Sequence, residues 1–183
     1  MIFTETDLKG LFVITPEKYE DIRGYFERIY CAEEFRVNNL VPEISQCSLS
    51  FNKHKGTLRG LHYQVKPYEE VKVVRCLKGK IFDVAVDIRP DSPTRGRYFS
   101  LELSDCNNFA LYIPKGFAHG FLSLTDNSLL LYQMSAPYNY ESARTIYYGD
   151  SEINIKWPAL AEGEEIIASD KDRYAPLWRD VKP

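Results

Sequence analysis

The 183 residues carry 23 Lys and Arg against 26 Asp and Glu, a formal net charge of -3, with 44% hydrophobic and 14% aromatic residues. That length suits one domain spanning 1–183 with a core that needs no staples. The mild acidity excludes the broad basic stripe of a nucleic-acid groove but leaves room for a few arginines against a small anion such as a diphosphate. The opening MIFTETDLKG has neither the basic flank nor the apolar run of a signal peptide, and no stretch approaches the about 18 apolar residues that a bilayer span needs. Cys31, Cys47, Cys76 and Cys106 form no C-x-x-C pair. The expectation is a cytoplasmic protein with reduced thiols and neither membrane nor nucleic-acid partner.

In chain order, residues 32–39 suit about two turns of helix, and 44–51 the first clear strand. GTLRGLHYQ at 56–64 places an arginine, a histidine and a glutamine among glycines within sheet-like sequence. Strands follow at 71–77, 81–89 and 98–104; in IFDVAVDIR, Phe82, Val84, Val86 and Ile88 alternate with Asp83, Ala85 and Asp87. Further strands are predicted at 109–113 and 129–134, and the segment after Trp157 reads as irregular. Turn chemistry at LKGK, RPDSPTRG, DCNN, PKG and TDNS separates these runs. Short strands, tight turns and scarce helix predict an all-β fold, an antiparallel double-sheet jelly roll or related barrel with a few short helices and an interior that holds a ligand.

Inward polar residues then become informative. His62 is a candidate base, since an imidazole takes and returns protons near neutrality; a satisfied structural histidine is the alternative. Arg59, three residues earlier, faces the other way on a regular strand unless Gly56 and Gly60 bend the chain. His119, in IPKGFAHGF, is placed at a rim beside a turn, either in the site or bonded to a carbonyl, while His54 reads as an exposed loop residue. Lys72 and Tyr132 lie in otherwise apolar strands, as an oxyanion donor and a proton donor, or as an edge lysine and a phenol reaching water. In SDKDR, either Asp170 or Asp172 suits a carboxylate that orients a histidine, and a solvated charge cluster fits the spacing equally. A partial metal outline also exists in His62, Glu69 or Glu70, and His119, with Gln64 where a second histidine of a His-x-His pair would stand.

DIRGYF at 21–26, GTLRGLHYQ, GKIFDVAVDIRPDSPT at 79–94, IPKGFAHGF at 113–121, YQMSAPY ending at Tyr138 and the SDKD element form an ordered set. Together they resemble the dTDP-4-dehydrorhamnose 3,5-epimerase family of cupins over about residues 11–176. The resemblance implies a cupin-like jelly roll, a homodimer that lends part of the nucleotide site to its partner, and no metal or organic cofactor. It also implies proton abstraction and return at C3 and C5 of a nucleotide-diphosphate 4-keto-6-deoxyhexose, in rhamnose-type cell-surface polysaccharide biosynthesis. Carried over by position, His62 is the base, Asp172 its carboxylate, Lys72 the group at the ketone oxygen and Tyr132 the general acid. Arg23, Phe26, Arg59, His119 and Lys171 fall at substrate-contacting positions, Gln46 and Ser48 in the nucleotide pocket, and Tyr138 at the tyrosine that stacks on the base.

The nucleotide end departs from the better-known members. Arg28 stands where they carry a glutamate, Gln46, Cys47 and Ser48 where they often read Gln-x-Asn, and Ala143 where a glutamate follows the stacking tyrosine. Arg28 reverses a charge and Ala143 removes an acceptor, so CDP- or GDP-linked sugars, or epimerisation at one carbon, stay open. A metal-dependent cupin oxygenase, a non-catalytic sugar-nucleotide binding module and a ketoisomerase are the rival readings.

Overall fold

The computed structural model describes residues 1–181. Strands β1 (Ile2–Glu5) and β2 (Phe12–Thr15) pair at the start, followed by the small hairpin of β3 (Lys18–Asp21) and β4 (Gly24–Glu27). Helix α1 (Ala32–Val37) precedes β5 (Gln46–Asn52), β6 (Leu58–Gln64), β7 (Lys72–Lys78), β8 (Lys80–Asp87) and β9 (Tyr98–Ser104). The last strands are β10 (Ala110–Ile113), β11 (Phe117–Ser123), β12 (Ser128–Met134) and β13 (Ala143–Thr145). Beyond them, among the described residues, an otherwise irregular segment carries the single-turn helix α2 (Asp170–Arg173), a 3-10 turn at Trp178–Asp180 and an isolated bridge from Ile167 to Thr57.

Six strands form one sheet in the order β1-β2-β10-β7-β12-β5, and five form the other in the order β13-β6-β11-β8-β9. Every strand pairing is antiparallel, and from β5 onward the chain changes sheet at nearly every step, the winding of a double-sheet jelly roll. The predicted fold class is the observed one. Among the described residues no helix is long and apolar enough to cross a membrane.

Three apolar layers hold the sheets. Val74, Cys76, Leu111 and Leu130 of the larger sheet meet Ile81, Ala85, Leu103 and Phe121 of the smaller one between them. Phe35 of α1 covers the outer face of the larger sheet, against Ile14, Val73 and Tyr112. On the outer face of the smaller sheet, Leu61, Tyr63, Val84 and Val86 pack against Ile146, Ile153, Trp157 and Trp178 of the C-terminal segment. Each buried side chain of this size removes about 1.5–3 kcal/mol of apolar surface cost from water, so both faces of the smaller sheet are stabilised.

That third layer explains why the alternation in β8 is correct but incomplete. Its more apolar parity, Phe82, Val84, Val86 and Ile88, faces the C-terminal covering, whereas Asp83 and Ala85 face the interior. The segment 117–123 differs from the expectation more sharply. It is no rim: all seven residues of β11 are buried, and the strand runs between β6 and β8. His119 is therefore a mid-sheet residue, 4% exposed. The turn ends at Gly116, where φ is +77°, and the chain then continues straight into the sheet.

Candidate active site

The site is built where β6 and β11 pair out of register. His119 lies opposite His62 and Phe121 opposite Arg59, so two steps along β11 match three along β6. Successive side chains on a regular strand alternate faces; the extra residue cancels one alternation, and Arg59 and His62 come to the same side. Gly60 takes the irregularity with φ at +127°, and a Cβ there would sit 2.5 Å from the Cα of Gly120. The two glycines let the strands close, as the bend anticipated at Gly60 requires.

A cavity of about 300 Å³ opens between the sheets at this point, with Arg59, His62, Lys72, His119 and Tyr132 on its wall. Gln46, Tyr138 and Lys171 also line it. The Tyr138 amide donates to Gln46 Oε1 at 2.7 Å, which ties the tyrosine's loop to the start of β5. A larger cavity, about 510 Å³, lies on the far side of β6 beneath Trp178 and holds none of the expected catalytic groups.

His62 Nε2 is 2.6 Å from Asp172 Oδ1, and the ring is 39% exposed while the carboxylate is nearly buried. Asp172 reaches this place because α2 turns it inward: Ser169 caps the helix, accepting from the Asp172 amide, and Asp170 stays exposed. Burial pushes the Asp172 carboxyl up, but the hydrogen bond and charge of His62, with Ser169 and the Gly60 amide, outweigh it and hold the group below its usual range. An ionised Asp172 accepts the Nε2 proton, which leaves Nδ1 as the imidazole's basic nitrogen.

Opposite stands a second pair, His119 Nε2 at 2.8 Å from Asp83 Oδ1, both buried, with His119 touching the cavity. The Tyr132 ring meets the His119 ring edge-on, with centroids 5.8 Å apart. Burial drives the Tyr132 phenol well above its ordinary value, Asp83 adds to the shift and Arg59 opposes it, so the hydroxyl keeps its proton through the neutral range. Lys72 lies on β7, between β10 and β12, so it is not an edge lysine. Its ammonium donates to the His62 carbonyl at 3.1 Å and pairs with Glu70 Oε1 at 3.0 Å. Arg59 Nε donates to Asn52 Oδ1 at 2.9 Å.

Asp172 stands behind His62 and not on the cavity wall, and three further expected positions lie outside the cavity. Ser48 sits on β5 in register with Tyr132 but is exposed, and Arg23 and Phe26 belong to the β3–β4 hairpin. Phe26 is 71% exposed, and the Arg23 guanidinium pairs with Asp21. Arg28 pairs with Glu34 at 3.0 Å, while Ala143 does line the cavity. The metal outline does not assemble: among the described residues no three His, Cys, Asp or Glu side chains gather as a ligand set. In the sequence Asp83 stands out only as one of the residues alternating along 81–89, Asn52 not at all, and Glu70 only as a metal ligand. Asp83 was hidden because it alternates with apolar residues and so reads as the solvent side of β8.

A family model described as dTDP-4-dehydrorhamnose 3,5-epimerase matches residues 5–180. The chain is 39% identical to a dTDP-4-dehydrorhamnose 3,5-epimerase of Sinorhizobium fredii over 96% of its own length and 89% of that protein's. The crystal structure of dTDP-4-dehydrorhamnose 3,5-epimerase from Elizabethkingia anophelis superposes with a TM-score of 0.93 at 37% identity, covering 98% of this chain and 97% of that one. The dTDP-6-deoxy-D-glucose-3,5-epimerase of Legionella pneumophila, solved in complex with dTDP-4-keto-L-rhamnose, superposes with a TM-score of 0.92 at 37% identity, covering 99% and 94%. With motifs, fold and these likenesses agreeing along nearly its whole length, the chain belongs to the dTDP-4-dehydrorhamnose 3,5-epimerase family.

Proposed function

We propose that this protein is an isomerase that inverts C3 and C5 of a dTDP-linked 4-keto-6-deoxyhexose, with the cavity between the sheets as its active site. The observation that carries the reading is that His62, backed by Asp172, opens into the same hollow as Lys72 and Tyr132. A hydrogen on carbon beside a ketone is acidic because its loss leaves an enolate with charge on the ketone oxygen. His62 takes that proton as the C–H bond breaks, the Lys72 ammonium meets the growing oxyanion, and Tyr132 supplies a proton to the opposite face of the same carbon. The carbon ends with the hydrogen count it began with and inverted geometry. Asp172 holds the imidazole's tautomer and stabilises the imidazolium. Arg59 and Lys171 provide cations for the diphosphate, and Tyr138 an aromatic face for the base. Thymidine is preferred over cytidine or guanosine because the relatives at this identity are named for dTDP sugars.

The test is incubation with dTDP-, CDP- and GDP-linked 4-keto-6-deoxyglucose in heavy water, read by mass spectrometry and product NMR. Deuterium at both carbons of the dTDP sugar is the expected result. Deuterium at one carbon makes the protein a single-centre epimerase, and no exchange with any of the three ends the assignment.

The same reading makes the protein a cytoplasmic homodimer. Leu49, Leu131 and Arg75 align across β5, β12 and β7 on the outer face of the larger sheet; Leu49 is 64% exposed, and the Arg75 terminal nitrogens are buried with no hydrogen-bond partner among the described residues. A second copy on this face would cover the leucine and lie over the already buried guanidinium. It would also give the outlying Arg23 and Phe26 a cavity to enter, that of the partner. Leu49→Glu is expected to give a monomer by light scattering; a monomeric wild type overturns the dimer.

A further inference from the structure

Glu70 has no part in the scheme above, yet its carboxylate lies inside the cavity, 9% exposed, beside the proposed oxyanion donor. One oxygen pairs with Lys72 Nζ at 3.0 Å and the other accepts from Gln64 Nε2. Gln64 is itself fixed, donating to the Tyr68 carbonyl at 2.9 Å and accepting from the Asn139 amide at 2.6 Å. Lys72 Nζ also donates to the His62 carbonyl at 3.1 Å. An ammonium has three N–H donors and free rotation about its last bond. Two rigid acceptors remove that freedom, and the third N–H is left for the cavity.

We propose that Glu70 is a positioning residue for the epimerisation, holding Lys72 so that one N–H is already aimed where the ketone oxygen becomes an enolate. A donor fixed before the reaction stabilises developing charge without reorganising when the charge arrives. The pairing also keeps Glu70 itself from repelling the enolate, since its charge is balanced within the wall. This inference rests on the proposed function.

The test compares steady-state kinetics and deuterium exchange of wild type, Glu70→Ala, Lys72→Met and the double variant, with dTDP binding as a check of folding. Glu70→Ala is expected to lower kcat by about tenfold to a hundredfold with KM and dTDP affinity within about threefold of wild type. In the Lys72→Met background the same change is expected to lower kcat no further, because Glu70 acts through Lys72. Glu70→Gln is expected to fall between: its amide nitrogen would face the Gln64 amide nitrogen, so one of the two contacts is lost. Full kcat in Glu70→Ala, a loss carried by KM, or an additive loss in the double variant overturns the proposal and leaves the proposed function standing. A wild type that exchanges nothing overturns both.

Discussion

Two histidine–aspartate pairs meet at the β6–β11 seam, similar in their contact geometry but different in access and in where the aspartate comes from. His62 and His119 are direct partners in the register, and each ring nitrogen meets a carboxylate within 2.8 Å. The His62 ring is 39% exposed to the cavity, and its aspartate comes from α2, 110 residues along the chain. The His119 ring is 4% exposed, and its aspartate lies on the adjacent strand β8 with one oxygen lacking any partner among the described residues. A carboxylate neighbour orients an imidazole in both cases. Under the proposed function, room for substrate beside the ring is what suits His62 to act as base while His119 forms part of the cavity wall.

The largest expected difference between the pairs is in rate. Under the proposed function His62→Ala removes the proton acceptor, and deuterium uptake at C3 and C5 should fall by about a thousandfold or more while dTDP still binds. Uptake near the wild-type rate would dissolve the distinction between the two imidazoles. Next is stability. His119→Ala strands Asp83 in a wholly buried place, and urea unfolding should show a loss of about 3–5 kcal/mol, against a smaller loss for His62→Ala because Asp172 keeps its contacts with Ser169 and the Gly60 amide. Equal losses would mean that the two carboxylates are equally dependent on their histidines.

The smallest effect is a pH dependence. Asp172 has a lower carboxyl pKa in the folded protein than the unfolded value of about 3.9, so its ionised form stabilises the fold above that pH, and the contribution disappears as pH falls through the folded value. The stability gap between wild type and Asp172→Asn should therefore narrow below about pH 4. A gap that stays constant down the acid limb would show that the carboxylate's charge is not what holds α2 against β6.

Much of the fold was legible from local pattern. The expected strand at 98–104 coincides with β9, those at 71–77 and 129–134 lie within one residue of β7 and β12, and the helix at 32–39 begins with α1. Strands without clean alternation escaped: β2, FVIT, is an unbroken apolar run up to Thr15, and β3 is exposed throughout. His119 was misplaced because Pro114 and Gly116 mark a real turn, and nothing in the following letters says that the strand resumes at once in the middle of a sheet.

The sequence by itself determined the double-sheet architecture and the family, because alternation, turn residues and an ordered set of motifs are properties of neighbouring letters. Which polar groups share a hollow was decided only by the tertiary structure. The smaller sheet is covered on both faces, so parity along β8 does not say which side is the interior. The bulge at Gly60 turns Arg59 to the side of His62, and α2 delivers Asp172, with Asp170 left in solvent. Each of these depends on how two segments distant in the chain pack against one another, a relation that no local pattern of residues encodes.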